Sequence, residues 1–214
     1  MIIKSLSRKG KTGHFRQLYD YIAREAHGDA LWHNFLYSEP DRERTVRTFE
    51  DNAKHIRKSP RHNILYHEVI SLKRLSKDLE ELQIEALRDI GRQYLNARAG
   101  TQLGYGAIHT NQKDSIHLHL MISSNGVDSN RRVRIPKFEF TQIQKDIETT
   151  LQQEYPALCE KTIYNKPWEK NKKETHKEQQ LKRGRASPRK KKYSKKNSWR
   201  LFIKPAPKMK QSAF

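Results

Sequence analysis

Residues 107–120 read Ala107-Ile108-His109-Thr110-Asn111-Gln112-Lys113-Asp114-Ser115-Ile116-His117-Leu118-His119-Leu120. In a strand successive side chains alternate faces, so His117 and His119 share one face. Ile116, Leu118, Leu120 and Ile122 share the other, which is the face that seeks a core. A hairpin closing over Thr110–Ile116 and centred on Lys113 sets His109 directly opposite His117. Opposed residues of an antiparallel pair have Cβ atoms roughly 5 Å apart and point to the same side. Three imidazoles therefore converge on one surface while isoleucine and leucine seal the other. Neutral imidazoles that leave positions open for water or a phosphate oxygen make a catalytic metal site rather than a closed structural one. The set His109, His117 and His119 is the expected ligand set for a divalent ion. Asp114, in the turn, is either an Asx-turn residue or an acceptor that orients one of the histidines.

The hairpin needs partners, and the flanking sequence supplies them. Met1–Leu6 and Ile64–Leu72 are dense in apolar and β-branched residues and read as strands. His14–Ala26 and Asp41–Lys58 carry helical periodicity. Ser76 stands as a cap before a long amphipathic helix that ends near Ala99-Gly100, with Leu79, Leu82, Leu87, Ile90 and Tyr94 on its apolar stripe. Strands are expected over Leu103–Thr110 and Ile116–Ser123, with a short further one at Arg131–Ile135, and a last helix runs from Phe138 to Gln153 before Pro156. Such an order describes an α+β domain with helices packed on one face of an antiparallel sheet, leaving the other face free to carry a site.

Composition narrows the partner. The chain has 214 residues, a formal charge of +20 and one cysteine, Cys159. A lone cysteine excludes an internal disulfide and any cysteine-built zinc site, and it fits a reducing cytoplasm. No apolar run is long enough for a membrane span, and the apolar part of Met1–Lys4 is too short for a signal peptide. Residues 166–214 hold 18 Lys/Arg and three Glu, a net +15. Residues 1–165 form the expected domain, and 166–214 a basic tail that is disordered or ordered only on a partner. Lys182, Arg183, Arg185, Arg189, Lys190, Lys191 and Lys192 are its expected DNA contacts, since a polyanion is the natural partner of such a cluster.

His109 with Asp114-Ser115-Ile116-His117-Leu118-His119 and Asn125 resembles the third motif of plasmid mobilisation relaxases, within the HUH endonuclease class. The likeness is greatest to the lineage of the relaxases of broad-host-range conjugative plasmids and of the Agrobacterium tumour-inducing plasmid. Phe15-Arg16-Gln17-Leu18-Tyr19-Asp20-Tyr21-Ile22 is similar to that family's first motif, a tyrosine on an early helix. His67-Glu68-Val69-Ile70-Ser71-Leu72 is similar to its second, a serine ending a strand. The resemblance covers about residues 1–155 and implies an HUH/RRM-like relaxase fold. It implies a nuclease that cuts one DNA strand with Tyr21 and stays joined to the 5′ phosphate, using Mg²⁺ or Mn²⁺, with Ser71 and His109 in the catalytic set. Asn125 would help to orient DNA. Origin DNA, single-stranded DNA, a relaxosome accessory protein and a type IV secretion coupling protein are the implied partners.

Helix geometry separates the two tyrosines independently. At about 100° per residue, Phe15, Leu18, Ile22 and Ala26 define a stripe that includes Tyr19 at about +40° from Phe15, whereas Tyr21 falls at about −120°. Tyr19 should pack and Tyr21 should face outward. The alternatives are a rolling-circle replication initiator, which places its tyrosine after the histidines, and a non-catalytic DNA-binding protein. A cupin-like metalloenzyme would need more strands and a further glutamate ligand.

Overall fold

The computed structural model describes residues 1–9, 13–36, 41–57, 62–159 and 161–166. Five antiparallel strands form one open sheet in the order β1-β3-β5-β4-β2. They are β1 (Ile2–Lys9), β2 (His27–His33), β3 (Asn63–Lys73), β4 (Gln102–His109) and β5 (Ser115–Gly126). The helices are α1 (His14–Ala23), α2 (Arg42–Lys54), α3 (Glu80–Ala99) and α4 (Lys137–Glu154). The α+β class and the antiparallel sheet are those expected.

The central strand is β5, whose even-numbered residues from Ile116 to Ile122 enter the larger core with Ile70 and Leu72 of β3. That core is closed by α3, through Ile84, Leu87, Ile90, Tyr94 and Leu95, and by Ile143, Ile147 and Leu151 of α4. Each such side chain contributes about 1.5–3 kcal/mol of burial. The helix comes close because position 91 is glycine: a Cβ there would meet Leu118 and would stand 2.6 Å from a Leu31 methyl.

The helices do not all share one face. Phe15, Leu18, Tyr19 and Ile22 of α1 and Val46 and Phe49 of α2 pack on the opposite side, over Leu103, Tyr105, Ala107 and Met121. This second layer covers the β4 half of that face, and the β1 end keeps exposed Ile2 and Leu6. The large apolar surface of odd-numbered β4 residues explains the arrangement, because Leu103 and Tyr105 need a cover of their own.

Other expectations shift in detail. Strand β2, at the sheet edge, pairs with β4 through Leu31, Trp32 and His33. His27-Gly28-Asp29 is too polar to have marked it. The segment 131–135 is not a strand; only an isolated bridge joins Arg132 to Asn125. Ser76 accepts through its carbonyl from Leu79 N–H rather than capping with its hydroxyl, and a 3₁₀ turn, Lys77–Leu79, precedes α3. No helix among the described residues is long and apolar enough to cross a membrane.

Candidate active site

Strand register assembles the site. His109 pairs with His117 across β4 and β5, and His119 pairs with Val69 of β3. The same ladder sets Ser71 opposite His117 and His67 opposite Met121. His67, Ser71, His117, His119 and His109 therefore leave the sheet on one face. Glu68 leaves on the other, where it is fully buried and accepts from Ser5 Oγ at 2.7 Å, Tyr94 Oη at 2.6 Å and Arg98 Nε at 3.0 Å. A carboxylate so enclosed holds β3 against α3, and it is Ser71, not Glu68, that shares the histidines' side.

His67 is the residue that sequence reasoning missed. Its Nε2 lies 3.1 Å from His119 Nδ1, and its own Nδ1 is buried with no hydrogen-bond partner. The alternation that singles out Ser71 reaches His67 four residues earlier on the same face, so the signal was present in the β3 sequence.

Helix α1 lays Tyr21 over this cluster. Its apolar side buries Phe15, Leu18, Tyr19 and Ile22, and the Tyr19 ring stacks on Tyr105 at 4.8 Å. Tyr21 points away from that side and is 46% exposed. Its ring centroid stands 5.3 Å from His119, 5.7 Å from His67 and 5.9 Å from His109. Two anchors fix the helix. Arg42 makes a two-pronged ion pair to Asp20 at 2.7 and 2.8 Å, which holds the Asp20 carboxyl below its usual range. His109 Nε2 donates to the Ile22 carbonyl at 2.7 Å, satisfying one of the last carbonyls of the helix.

That hydrogen bond also puts a proton on His109 Nε2, which leaves Nδ1 as the nitrogen for an ion. Metal-binding histidines characteristically give their second N–H to a backbone carbonyl in this way. Burial, reinforced by the Arg8 guanidinium and by His109, holds His67 to about 4, and burial with its three histidine neighbours holds His119 to about 3. Burial lowers His117 as well. These imidazoles are neutral near pH 7 and can serve as donors to an ion.

The rings lie against one another instead of aiming at one centre, with His109 tilted on His119 at 4.5 Å and His117 stacked on His119 at 5.8 Å between centroids. Among the described residues no three His, Cys, Asp or Glu side chains stand ready around an ion position. The donor set nevertheless fits a divalent cation: neutral imidazoles, a His109 oriented by a carbonyl, and an orphaned buried nitrogen on His67.

Two expected helpers lie elsewhere. Asp114 is exposed, and its carboxylate bonds to no histidine; the group next to His117 Nε2 is Ser115 Oγ at 2.5 Å. The turn carries Asp114 past the end of the ladder, so Ser115 takes the orienting position. Asn125 is fully buried near the far end of β5, donating to the carbonyls of Asn52 and Ser129 at 2.9 Å each. Six residues of strand, about 20 Å, separate it from His119. Its amide ties α2 and the following turn to the sheet. Lys182, Arg183, Arg185, Arg189, Lys190, Lys191 and Lys192 lie outside the described residues.

Residues 21–155 match the family model described as relaxase, MobA/VirD2-like, nuclease domain. Several solved structures share the fold. A MobM relaxase domain (MOBV; Mob_Pre) bound to 26 nucleotides of pMV158 oriT DNA is 14% identical with a TM-score of 0.52, covering 83% of this chain and 99% of that one. A manganese-bound MobM relaxase domain with 22 nucleotides of the same DNA, at pH 4.6, is 13% identical with a TM-score of 0.50, covering 85% and 100%. A chain from work on the molecular basis of vancomycin resistance transfer in Staphylococcus aureus is 13% identical with a TM-score of 0.52, covering 73% and 92%. No curated protein matches the sequence.

Proposed function

The chain belongs to the MobA/VirD2-like relaxase nuclease family, and on that footing we propose that it nicks one strand of DNA at a transfer origin, with Tyr21 as the nucleophile. The observation that carries this reading is the half-exposed Tyr21 ring standing over His67, His109 and His119. A buried tyrosine could not meet a phosphodiester. One remote from the histidines would lack help in reaching its transition state.

The reaction is a transesterification. The Tyr21 oxygen forms a bond to phosphorus, the bond from phosphorus to the 3′ oxygen breaks, and that oxygen leaves as a hydroxyl. The 5′ phosphate stays on the protein, so the energy of the ester is kept and rejoining needs no ATP. A phenol with a pKa near ~10 must give up its proton as the bond forms. The neutral imidazole of His67, outside the ligand set and with its Nδ1 unbonded beside the ring, is the acceptor at hand. Ser71, beside His117, offers a hydroxyl to a phosphate oxygen. His109, His117 and His119 would hold a divalent ion, Mg²⁺ or Mn²⁺. When bound, it polarises the scissile phosphate and offsets the charge that grows there.

The MobM domains of similar fold are bound to oriT DNA, and one carries manganese, which supports the DNA target and the metal class. The alternative of a rolling-circle initiator is disfavoured by the described tyrosines after the histidines. Tyr155 donates to Asp89 at 2.6 Å, and Tyr164 accepts from Ile3 N–H at 2.7 Å, so both are engaged in packing the domain. The basic residues 166–214 add non-specific affinity for DNA. A relaxosome accessory protein, a secretion coupling protein and action in the cytoplasm complete the proposal.

The test is to incubate the full chain with Mg²⁺ or Mn²⁺ and single-stranded DNA from its own transfer origin. A covalent protein–DNA band that survives denaturation is expected. Its absence with both ions, or its equal appearance in EDTA, overturns the reading.

A further inference from the structure

A second concavity lies on the sheet's other side, beyond the β1 edge. It is a cleft of about 630 Å³ between β1, the end of α3 and the segment that leads into α4. Its charge is one-sided. No aspartate or glutamate is among its lining residues. Arg98 at its floor is already neutralised by the buried Glu68, at 2.9 Å. Arg132, Arg134 and Lys137 line it with no ion pair among the described residues. Arg132 gives Nη2 to the Arg57 carbonyl at 2.8 Å, while its Nε is buried without an acceptor.

The cleft also has an aromatic side. Tyr66 is held in place by the Arg98 guanidinium, 5.0 Å over its ring, and Phe140 lines the cleft from the first turn of α4. Cations that track a phosphate, next to rings on which a base can stack, are the two elements of single-strand recognition. The edge strand links the cleft to the histidine face. Along β1, Lys4 and Arg8 pair with Val69 and Leu65 on the histidine side, whereas Ser5 and Ser7 pair with Glu68 and Tyr66 on the cleft side. A strand leaving Tyr21 passes over basic residues before it rounds the edge.

We propose that this cleft is a second single-stranded DNA site, holding a nucleotide several positions along the strand from the cleavage point, with its phosphate among Arg132, Arg134 and Lys137 and its base against Tyr66 and Phe140. The proposal rests on the reading of the chain as a DNA-acting protein, and the experiment separates the two.

Binding of fluorescein-labelled (dT)30 to the full chain is followed by anisotropy over a range of salt. The chain is compared with Arg134→Glu/Lys137→Glu, two exposed positions whose reversal spares the core. Arg47→Glu/Arg92→Glu makes the same charge change at exposed sites outside the cleft. The cleft variant should bind at least tenfold more weakly. Loss of two phosphate contacts should flatten its log–log salt dependence by about 1.4. An oligonucleotide carrying 5-iododeoxyuridine should photocrosslink to Tyr66 or Phe140. If the unaltered chain binds (dT)30 and the cleft variant matches it, or if the control variant loses as much, the cleft is not a DNA site while the DNA-acting reading stands. If the unaltered chain does not bind (dT)30 at all, both readings fall.

Discussion

Replacing each of the two neighbouring tyrosines of α1 separates packing from chemistry. Tyr21 is 46% exposed, and its hydroxyl makes no hydrogen bond among the described residues. Tyr21→Phe removes that oxygen alone and should change stability by less than about 0.5 kcal/mol. Tyr19 is 9% exposed and stacked on Tyr105 at 4.8 Å and 21°. Tyr19→Ala empties a core position and should cost about 3–5 kcal/mol, a large part of the roughly 5–15 kcal/mol that holds a domain together. For a domain of this size that is a fall in melting temperature of roughly 6–20 °C. Tyr19→Phe keeps the ring and should cost about 1 kcal/mol for the lost hydrogen-bonding hydroxyl. Two assays are read together: thermal melting, and the covalent adduct formed with an oligonucleotide of the chain's own origin in Mn²⁺. The expected pattern is crossed. Tyr21→Phe melts normally, binds the oligonucleotide and forms no adduct, whereas Tyr19→Phe forms it. An adduct retained by Tyr21→Phe, or a DNA-linked peptide mapped to Tyr19, would refute both the helical assignment and the mechanism built on it.

Three further outcomes follow from particular contacts. Gly106→Ala puts a Cβ 2.8 Å from the His119 carbonyl oxygen and against Leu120. Backbone cannot yield there, so the urea midpoint should fall by an amount worth about 1–3 kcal/mol, and an unchanged midpoint would show that β4 and β5 are less tightly spaced. Ending the chain after Pro167 removes a net +15 less the charge of Lys166. Affinity for any single strand should drop and its salt dependence flatten, and a full salt slope in the shortened chain would mean that the tail serves another partner. In protein stripped of divalent ions, His67 is held to about 4 and His119 to about 3. An unfolded histidine takes a proton near pH ~6.5, so between there and pH 4 the unfolded chain binds protons that the folded one refuses. Stability should therefore fall on acidification through that window, by up to ~1.4 kcal/mol per pH unit for each histidine. Urea midpoints in EDTA at pH 7 and pH 4.5 check this, and His67→Asn should lessen the slope.

What could be read in advance was whatever depends on a few adjacent residues. The His109–His117 register follows from the length of one turn and from the alternation of Ile116, Leu118 and Leu120, and the structure has that pairing. The inward Tyr19 and outward Tyr21 follow from one stripe on one helix. The features that escaped depend on pairings between distant parts of the chain. β2 owes its existence to β4, some seventy residues on, since its own sequence holds little beyond Leu31 and Trp32 to bury. Asn125 is polar and sits at a turn, which suggests exposure. Only the packing of α2 against β5 shows that its amide is consumed by Asn52 and Ser129.

His67 is the most instructive of these. Alternation along β3 puts it on the face of Ser71, but only the neighbouring strand shows what it meets there. Its place beside His119 depends on the β3–β5 ladder, and that register is reinforced from the back of the sheet. There Glu68, the very next residue, is locked by Tyr94 and Arg98 of α3. A slip of one residue in β3 would drive the Glu68 carboxylate onto the histidine face and His67 into the apolar core. Burying Glu68 against Arg98 is therefore more than a local ion pair. It makes the wrong register costly, because the slip would leave the buried Arg98 guanidinium without its carboxylate, and an unpaired buried charge is among the most destabilising groups a core can hold. The same contact that ties α3 to the sheet thus decides which side chains stand beneath Tyr21.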